Sequence, residues 1–166
     1  MQDIKYIEPT ALHEEMVRLR NEKKMDFLES LTGMDWGEPD EKDSPETVRG
    51  LGVVYHLEST TTGERMVVKT STINRESPEL PSVCDIWRAA EMNEREVYDY
   101  FGIIFAGHPD MRRLFLRNDW VGYPLRKDND PEKENPLRMT NEETIDTTTE
   151  IELNPDGTVK NKEALL

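Results

Sequence analysis

Alternating apolar and polar residues predict a β-hairpin near the middle of the chain. The apolar residues of its first strand are Leu51, Val53, Tyr55 and Leu57. Their two-residue period is typical of a strand with one buried face. Gly63 lies in the turn expected over 60–64, where it can adopt positive φ, and the second strand is predicted over 66–73. A further short strand is predicted over 4–7.

Apolar residues at helical spacing predict one amphipathic helix near the start of the chain, opening at 9–10. Its apolar side contains Leu12, Met16 and Leu19. Residues 26–36 allow two interpretations, because their apolar positions have helical spacing whereas Gly33 opposes a long helix. Residues 37–47, which are acidic and contain proline and glycine, are expected to form a loop, as are residues 74–81.

Capping patterns predict a second helical region that begins at Ser82. Asp85 follows Ser82 at the spacing of a capping box, and Glu96 follows Asn93 at the same spacing. We therefore expect two short helices in tandem, with a break near Asn93 and an end at Gly102.

Together these elements predict an α+β fold, in which helices pack on a small mixed sheet with a β-hairpin, followed by an extended C-terminal segment. Residues 1–107 are expected to form the α+β domain, 108–130 a basic docking segment, and 131–166 an acidic tail. The tail contains no aromatic residue and cannot build its own core. It is therefore expected to be disordered or to extend over another surface.

Charge and cysteine content exclude several classes of function. The chain has 166 residues and a formal net charge of −14, which repels nucleic acid and anionic lipid. Cys84 is the only cysteine, so this chain alone cannot form an internal disulfide or hold a four-thiolate iron–sulfur cluster. Neither a signal peptide nor a transmembrane helix is expected, and any membrane association is expected to pass through another subunit.

Few residues are arranged for cofactor or metal chemistry. The sequence contains no glycine motif of the kind that binds phosphates. His13, His56 and His108 are scattered and lack partners at metal-ligand spacing. His108, beside Pro109 and Asp110, is interpreted as a turn histidine bonded to the backbone.

A charged helix carries the carboxylates of Glu94, Glu96 and Asp99. Arg95 precedes Asp99 by four residues, so these two side chains are expected to pair on the helix surface. Glu96 is expected to take part in the cap at Asn93. Paired carboxylates work as acid and base only in a cleft that separates their pKa values, so a catalytic interpretation is disfavoured.

A basic island follows in this otherwise acidic chain. Its cationic residues are Arg112, Arg113, Arg117, Arg126 and Lys127, and its aromatic residues are Phe115, Trp120 and Tyr123. Arginine with aromatic side chains is typical of protein-interface hot spots, so a protein interface is the favoured interpretation. A solvated structural loop and a nucleic-acid patch are the alternatives, and the net charge disfavours the second.

The run EREVYDYFGIIFAGHPDMRRLF, residues 94–115, resembles the signature of the respiratory complex I 30 kDa subunit family. The resemblance continues upstream through 81–87 and downstream through 119–128, and it covers roughly residues 4–130. A pattern of this length is far more specific than a short glycine motif.

The sequence departs from the family at three places. Tyr123 stands where the family often has histidine, and Asn129 stands where an aromatic residue often follows the Arg-Lys-Asp run. Arg117 and Asn118 replace a usual proline and acidic residue. All three changes lie in the expected docking segment, so they concern the contacts with a partner.

The resemblance implies a structural subunit of the peripheral arm of a proton-translocating NADH-quinone oxidoreductase, on the cytoplasmic side of the membrane. It implies docking on the large quinone-site subunit (49 kDa, D-type), with FMN and iron–sulfur clusters in partner subunits and no cofactor, metal or catalytic residue in this chain. The residues expected at the partner interface are Glu94, Arg95, Glu96, Asp99, His108, Arg112, Arg113, Trp120, Arg126 and Lys127. Replacing Arg112 and Arg113 is expected to release the chain from the partner while leaving it folded.

Three other functions stay open at this point. The chain can be the equivalent subunit of a membrane-bound hydrogenase or of another quinone- or ferredoxin-linked dehydrogenase, which the sequence distinguishes poorly. It can be a stand-alone enzyme that uses His108, Asp110 or the carboxylate helix. It can also be a free acidic adaptor with a disordered tail.

Overall fold

A four-stranded mixed sheet lies at the centre of the fold. Its strands are β1 (Asp3–Tyr6), β2 (Phe27–Asp35), β3 (Leu51–Glu58) and β4 (Arg65–Ser71). They are ordered β1-β4-β3-β2, with β1 parallel to β4 and the other neighbours antiparallel. The computed structural model describes residues 3–37, 50–72, 74–118 and 120–129. Residues 38–47 of the expected acidic loop, and the whole expected tail at 131–166, lie outside these ranges.

Two α-helices and a second, smaller sheet accompany the central sheet in the described part of the chain. A 3₁₀ turn at Pro9–Ala11 leads into α1 (Leu12–Glu22), and α2 spans Ala90–Phe101. The small sheet pairs β5 (Glu79–Pro81) with β6 (Ile104–Ala106) in parallel. The predicted α+β class, with a mixed sheet, a hairpin and packed helices, is confirmed.

The hydrophobic pattern placed the hairpin and the first helix correctly. In the β3–β4 pair, Tyr55 lies opposite Val68, and both side chains are fully buried. Gly63 adopts a φ of +71° in the connecting turn, as predicted. The apolar side of α1, formed by Leu12, Met16 and Leu19, is buried in the same core. Residues 79–81, expected in a loop, instead form β5.

Residues 26–36, which allowed two interpretations, contain strand β2. The pairing with β3 shifts between Leu28 and Ser30, so Glu29 is an extra residue in a β-bulge. The bulge places Leu28 and Leu31 on the buried face three residues apart, which imitates helical spacing. Gly33 is required because a Cβ there would collide with the ring of Phe101 on α2.

The prediction that a helix begins at Ser82 is wrong, and so is the predicted break near Asn93. Residues 83–89 form turns, and α2 runs without interruption from Ala90 to Phe101. The Ser82 hydroxyl accepts the N–H of Cys84 at 3.2 Å, and the carboxylate of Asp85 accepts from His13. Ser82 therefore closes a local turn and does not cap a helix. The end of α2 at Gly102 is confirmed, with a left-handed φ of +75°.

Candidate docking segment over the second helix

The basic island forms a segment that lies over α2 and the end of β2. We call its described residues, 108–118 and 120–129, the strap. The strap and the α+β elements belong to one compact unit. Hydrogen bonds to three carboxylates and several carbonyl groups hold the strap in place, and these contacts define the candidate site.

Asp99 on α2 is the first carboxylate, and it is completely buried. Its Oδ2 accepts three consecutive backbone N–H groups, from Leu114, Phe115 and Leu116, at 3.1, 2.7 and 2.8 Å. Its Oδ1 accepts from Nη1 of Arg113 at 2.9 Å. Burial alone would raise the pKa of Asp99, but these donors outweigh burial and hold it below its usual value.

Arg113 connects this carboxylate to the following turn of the strap. Its side chain is only 14% exposed. Besides Asp99, its Nη2 donates to the carbonyls of Trp120 at 3.2 Å and Gly122 at 3.3 Å, and the guanidinium lies 5.5 Å from the ring centre of Tyr123. Removal of this side chain would leave the buried carboxylate without its cationic partner and would take one donor from each of the two carbonyls.

Arg95 on α2 also binds the strap. Its Nε donates to the carbonyl of Arg112 at 3.1 Å, and its Nη2 donates to the carbonyl of Arg113 at 3.0 Å. The predicted pairing of Arg95 with Asp99 is therefore wrong. The two helix residues instead bind neighbouring donors and acceptors of the strap backbone.

Asp35, at the end of β2, is the second carboxylate. Arg75 binds it through two hydrogen bonds of 2.9 and 2.7 Å, and the backbone N–H groups of Lys127 and Gly37 donate to it at 2.8 Å each. Burial would raise the pKa of Asp35, but the hydrogen bonds from Arg75, Lys127 and Gly37 lower it to about 2. This carboxylate therefore stays ionised and fixes the far end of the strap.

Asp128 is the third carboxylate, and it belongs to the strap itself. Arg126 donates to both of its oxygens, at 2.9 and 2.8 Å, and Arg75 donates to it at 3.1 Å. The hydrogen bonds from Arg126 hold the pKa of Asp128 well below its usual value. Arg126, which was expected to contact a partner, thus has carboxylate and carbonyl partners in its own chain, including the carbonyl of Arg75 at 3.3 Å.

Aromatic packing completes the attachment of the strap. Phe115 stacks on Tyr100 of α2 with ring centres 5.9 Å apart, and the N–H of Leu125 donates to the Tyr100 carbonyl at 3.2 Å. Tyr123 packs where Gly102 has no side chain, because a Cβ at Gly102 would lie 2.5 Å from its ring. The positive φ of Gly102 also favours glycine at this position.

Glu94, also on α2, binds a different segment. It is fully buried and accepts from the Ser82 hydroxyl at 2.7 Å, the Val83 N–H at 2.8 Å and the Cys84 thiol at 3.2 Å. Burial raises the pKa of Glu94, and these hydrogen bonds offset that effect only in part. Burial likewise raises the pKa of the Cys84 thiol, to about 12, so the thiol is protonated and unreactive at neutral pH.

Cys84, Glu94 and His108 place potential metal ligands within 4.8 Å of one another. Nδ1 of His108 accepts the N–H of Asp110 at 2.9 Å, so the proton resides on Nε2, which donates to the carbonyl of Glu91 at 2.9 Å. This geometry confirms the interpretation of His108 as a turn histidine bonded to the backbone. Because these groups all have hydrogen-bond partners, a metal would have to displace each of them.

Burial separates the predicted interface residues into three groups. Glu94 and Asp99 are buried, and five residues are partly buried: Arg95, His108, Arg113, Trp120 and Arg126. Glu96, Arg112 and Lys127 are exposed. Arg112 pairs with Asp110 at 2.8 Å, but its side chain remains 71% exposed. Contact of any of these residues with a partner stays a prediction.

Sequence reasoning missed Asp35, Arg75 and Asp128, which fix the end of the strap. Asp35 and Lys127 are 92 residues apart, and no local spacing joins them. Among the described residues, no helix combines the length and apolar character needed to cross a bilayer.

The sequence was compared with known families and proteins. The family described as "Respiratory-chain NADH dehydrogenase, 30 Kd subunit" matches residues 5–135. A Bacteroides fragilis protein, named as the C/D-type subunit of NADH-quinone oxidoreductase, is 74% identical over 166 residues, which are 100% of this chain and 31% of that protein. A Chloroherpeton thalassium protein, named as the C-type subunit of NADH-quinone oxidoreductase, is 41% identical over 105 residues, which are 63% of this chain and 40% of that protein.

Two solved structures resemble the fold. The structure described as "Nqo5 of the trypsin-resistant fragment (1-134)" aligns with a TM-score of 0.55 and 35% identity, covering 64% of this chain and 80% of that chain. A chain of the archaeal membrane-bound sulfane sulfur reductase aligns with a TM-score of 0.61, covering 96% and 86%. The identity to the second is 24%, so that likeness concerns the fold alone.

Proposed function

The chain belongs to the 30 kDa subunit family of respiratory-chain NADH dehydrogenases, and we propose that it is a structural subunit of the peripheral arm of a proton-translocating NADH-quinone oxidoreductase. In this proposal it docks on the large, D-type quinone-site subunit, on the cytoplasmic side of the membrane. NADH oxidation and quinone reduction belong to the whole assembly, with FMN and iron–sulfur clusters in other subunits. This chain helps to keep the D-type subunit in position.

The observation that carries the proposal is the name and extent of the Bacteroides fragilis relative. That protein carries the joint designation C/D, and this chain matches 31% of its length at 74% identity. Two modules joined in one polypeptide are held at high effective concentration, which suits parts that work in permanent contact. A C-type module that acts beside a D-type module is the simplest interpretation of that joint designation.

The chemistry of the described residues supports a role without catalysis. Asp35, Asp99 and Glu94 all accept backbone N–H groups within the chain, so their carboxylates have structural functions. Cys84 is protonated at neutral pH because burial raises its pKa to about 12. The three carboxylates are buried and the thiol is protonated, so none of these four groups is placed as a catalytic acid, base or nucleophile requires.

Co-expression with a D-type subunit tests the proposal. We expect the tagged chain to retain the D-type subunit through affinity purification and gel filtration, and the isolated chain to contain neither flavin nor iron. Elution of the tagged chain alone would contradict the docking proposal. Stoichiometric flavin or iron in the isolated chain, or turnover of NADH by it, would contradict the proposal that redox centres lie elsewhere.

A further inference from the structure

Within the strap, basic side chains form ion pairs with the same chain, whereas two large apolar side chains are exposed to solvent. Arg113 is 14% exposed and pairs with Asp99, and Arg126 pairs with Asp128. By contrast, Phe115 is 61% exposed and Leu125 is 54% exposed. The sequence predicts arginines as the main docking groups, but Arg112, Arg113 and Arg126 already have carboxylate partners in this chain.

Phe115 and Leu125 both contact one residue of α2. Phe115 stacks on the ring of Tyr100 with only 12° between the ring planes, and the backbone of Leu125 is bonded to the Tyr100 carbonyl. Two residues that are ten positions apart in sequence are thereby brought together over one helix position. We call Tyr100, Phe115 and Leu125 the apolar ridge.

The apolar ridge is fixed before any partner binds. The backbone N–H of Phe115 donates to the buried carboxylate of Asp99 at 2.7 Å, and its ring is held by Tyr100. Leu125 is fixed by its own N–H and is followed by Arg126, Lys127 and Asp128, whose contacts fix the end of the strap. An ordered ring and an ordered backbone lose little conformational entropy on binding, so the apolar area that they present contributes more fully to affinity.

We propose that the apolar ridge is the docking hot spot of this chain, and that it fits an apolar groove bordered by carboxylates on the D-type subunit. The inference rests on the proposed function. Charge complementarity supports the carboxylate border. Lys127 lies two residues after Leu125 and is exposed, and Arg112, three residues before Phe115, is 71% exposed although it pairs with Asp110. Exposed aromatic residues within a polar rim are typical of interface centres.

A binding measurement on the double variant F115S/L125S tests the inference. The affinity of the whole chain for the purified D-type subunit is measured by calorimetry or by a labelled-chain titration. We expect the double variant to bind at least about tenfold more weakly, as for loss of a hot spot. The single variant L125S isolates one side chain whose backbone bond to Tyr100 is retained, and it is expected to lose about threefold or more.

The matched control is the double variant I4S/F27S. Ile4 and Phe27 are 51% and 48% exposed, respectively, and lie on β1 and β2, outside the strap. This control removes comparable apolar surface, and its affinity should be unchanged. Thermal unfolding of all variants verifies that the fold is retained.

The outcomes separate the two proposals. If the unmodified chain fails to bind the D-type subunit, the proposed function fails. If the unmodified chain binds and L125S and F115S/L125S bind equally well, the ridge inference alone is overturned. If the chain forms dimers that L125S abolishes, a second copy occupies the ridge, and the assignment to the D-type subunit is overturned.

Discussion

Glu94 and Asp99 lie five residues apart on α2, and both are fully buried, yet their pKa values move in opposite directions. Both accept three or more hydrogen bonds. The donors to Asp99 include a guanidinium and three backbone N–H groups, whereas Glu94 has a hydroxyl, a thiol and one N–H. Glu94 also lies deeper in the protein than Asp99, so burial dominates at Glu94, whereas the donors outweigh burial at Asp99.

Glu94 and Asp99 also have different structural roles, because they bind different segments of the chain. Asp99 binds the strap, which begins nine residues later in the chain, and it holds the strap mainly through backbone groups. Glu94 binds the turn at 82–84, which precedes α2. Helix α2 therefore fixes the segment that precedes it and the segment that follows it. The ionised carboxylate of Asp99 binds the strap, and the carboxyl group of Glu94, which binds a proton more readily, binds the turn.

The largest effect is expected from D99A. This change leaves Arg113 buried without its carboxylate and removes the acceptor of three backbone N–H groups. We expect the free energy of unfolding to fall by about 3–5 kcal/mol. Urea unfolding measures this loss, and hydrogen exchange should show lost protection at residues 114–116.

D110A is the matched control for D99A. Asp110 and Asp99 each pair with an arginine at nearly the same distance, 2.8 and 2.9 Å, but Asp110 and Arg112 are exposed. Exposed pairs contribute little, so no measurable change in unfolding is expected. Equal effects of D99A and D110A would contradict the importance assigned to burial.

The next largest effect is expected from R113A. Asp99 keeps its three backbone donors in this variant but loses its cation, and two carbonyls of the strap lose a donor. We expect a loss of about 3 kcal/mol by urea unfolding, and R112A should unfold like the unmodified chain.

The double replacement of Arg112 and Arg113 is therefore expected to weaken the fold as well as the docking. An R113A variant as stable as the unmodified chain would show that the replacement acts on docking alone.

The smallest effect is expected from E94Q, with a loss of about 1 kcal/mol at neutral pH. The pH dependence of this loss distinguishes Glu94 from Asp99. The folded pKa of Glu94 is raised, so its contribution to stability is complete below the unfolded value of 4.5 and is lost as pH rises through the folded value. The difference in stability between the unmodified chain and E94Q should therefore shrink as pH rises.

Asp99 should give the opposite slope. Its folded pKa is lowered, so its contribution is complete above the unfolded value of 3.8 and is lost as pH falls through the folded value. The stability difference between the unmodified chain and D99N should therefore shrink in acid. Urea unfolding of both pairs of proteins across acidic and neutral pH measures the two slopes, and slopes of the same sign would refute the assignment.

Periodicity in the sequence predicted the elements that bury one regular face. The β3–β4 hairpin and α1 follow a simple two-residue or helical period, and both were predicted correctly. β2 could not be assigned because the extra residue Glu29 changes the phase of its apolar positions. The start of α2 was misplaced because Ser82 and Asp85 form hydrogen bonds with other partners than a helix end.

The candidate site was only partly predictable. The position of the basic segment and the backbone bonding of His108 followed from local sequence. The partner of Arg113 did not, because Asp99 lies on α2, and the pair of Arg75 with Asp35 joins distant parts of the chain. Long-range pairing depends on the tertiary fold, and helix spacing gave the wrong partner for Asp99.

Asp99 binds the backbone N–H groups of residues 114, 115 and 116, and these hydrogen bonds do not involve the side chains of those residues. The exposed side chain at position 115 can therefore be exchanged while the backbone bonds to Asp99 are kept. Position 115 is the natural place to graft a new recognition group onto this scaffold.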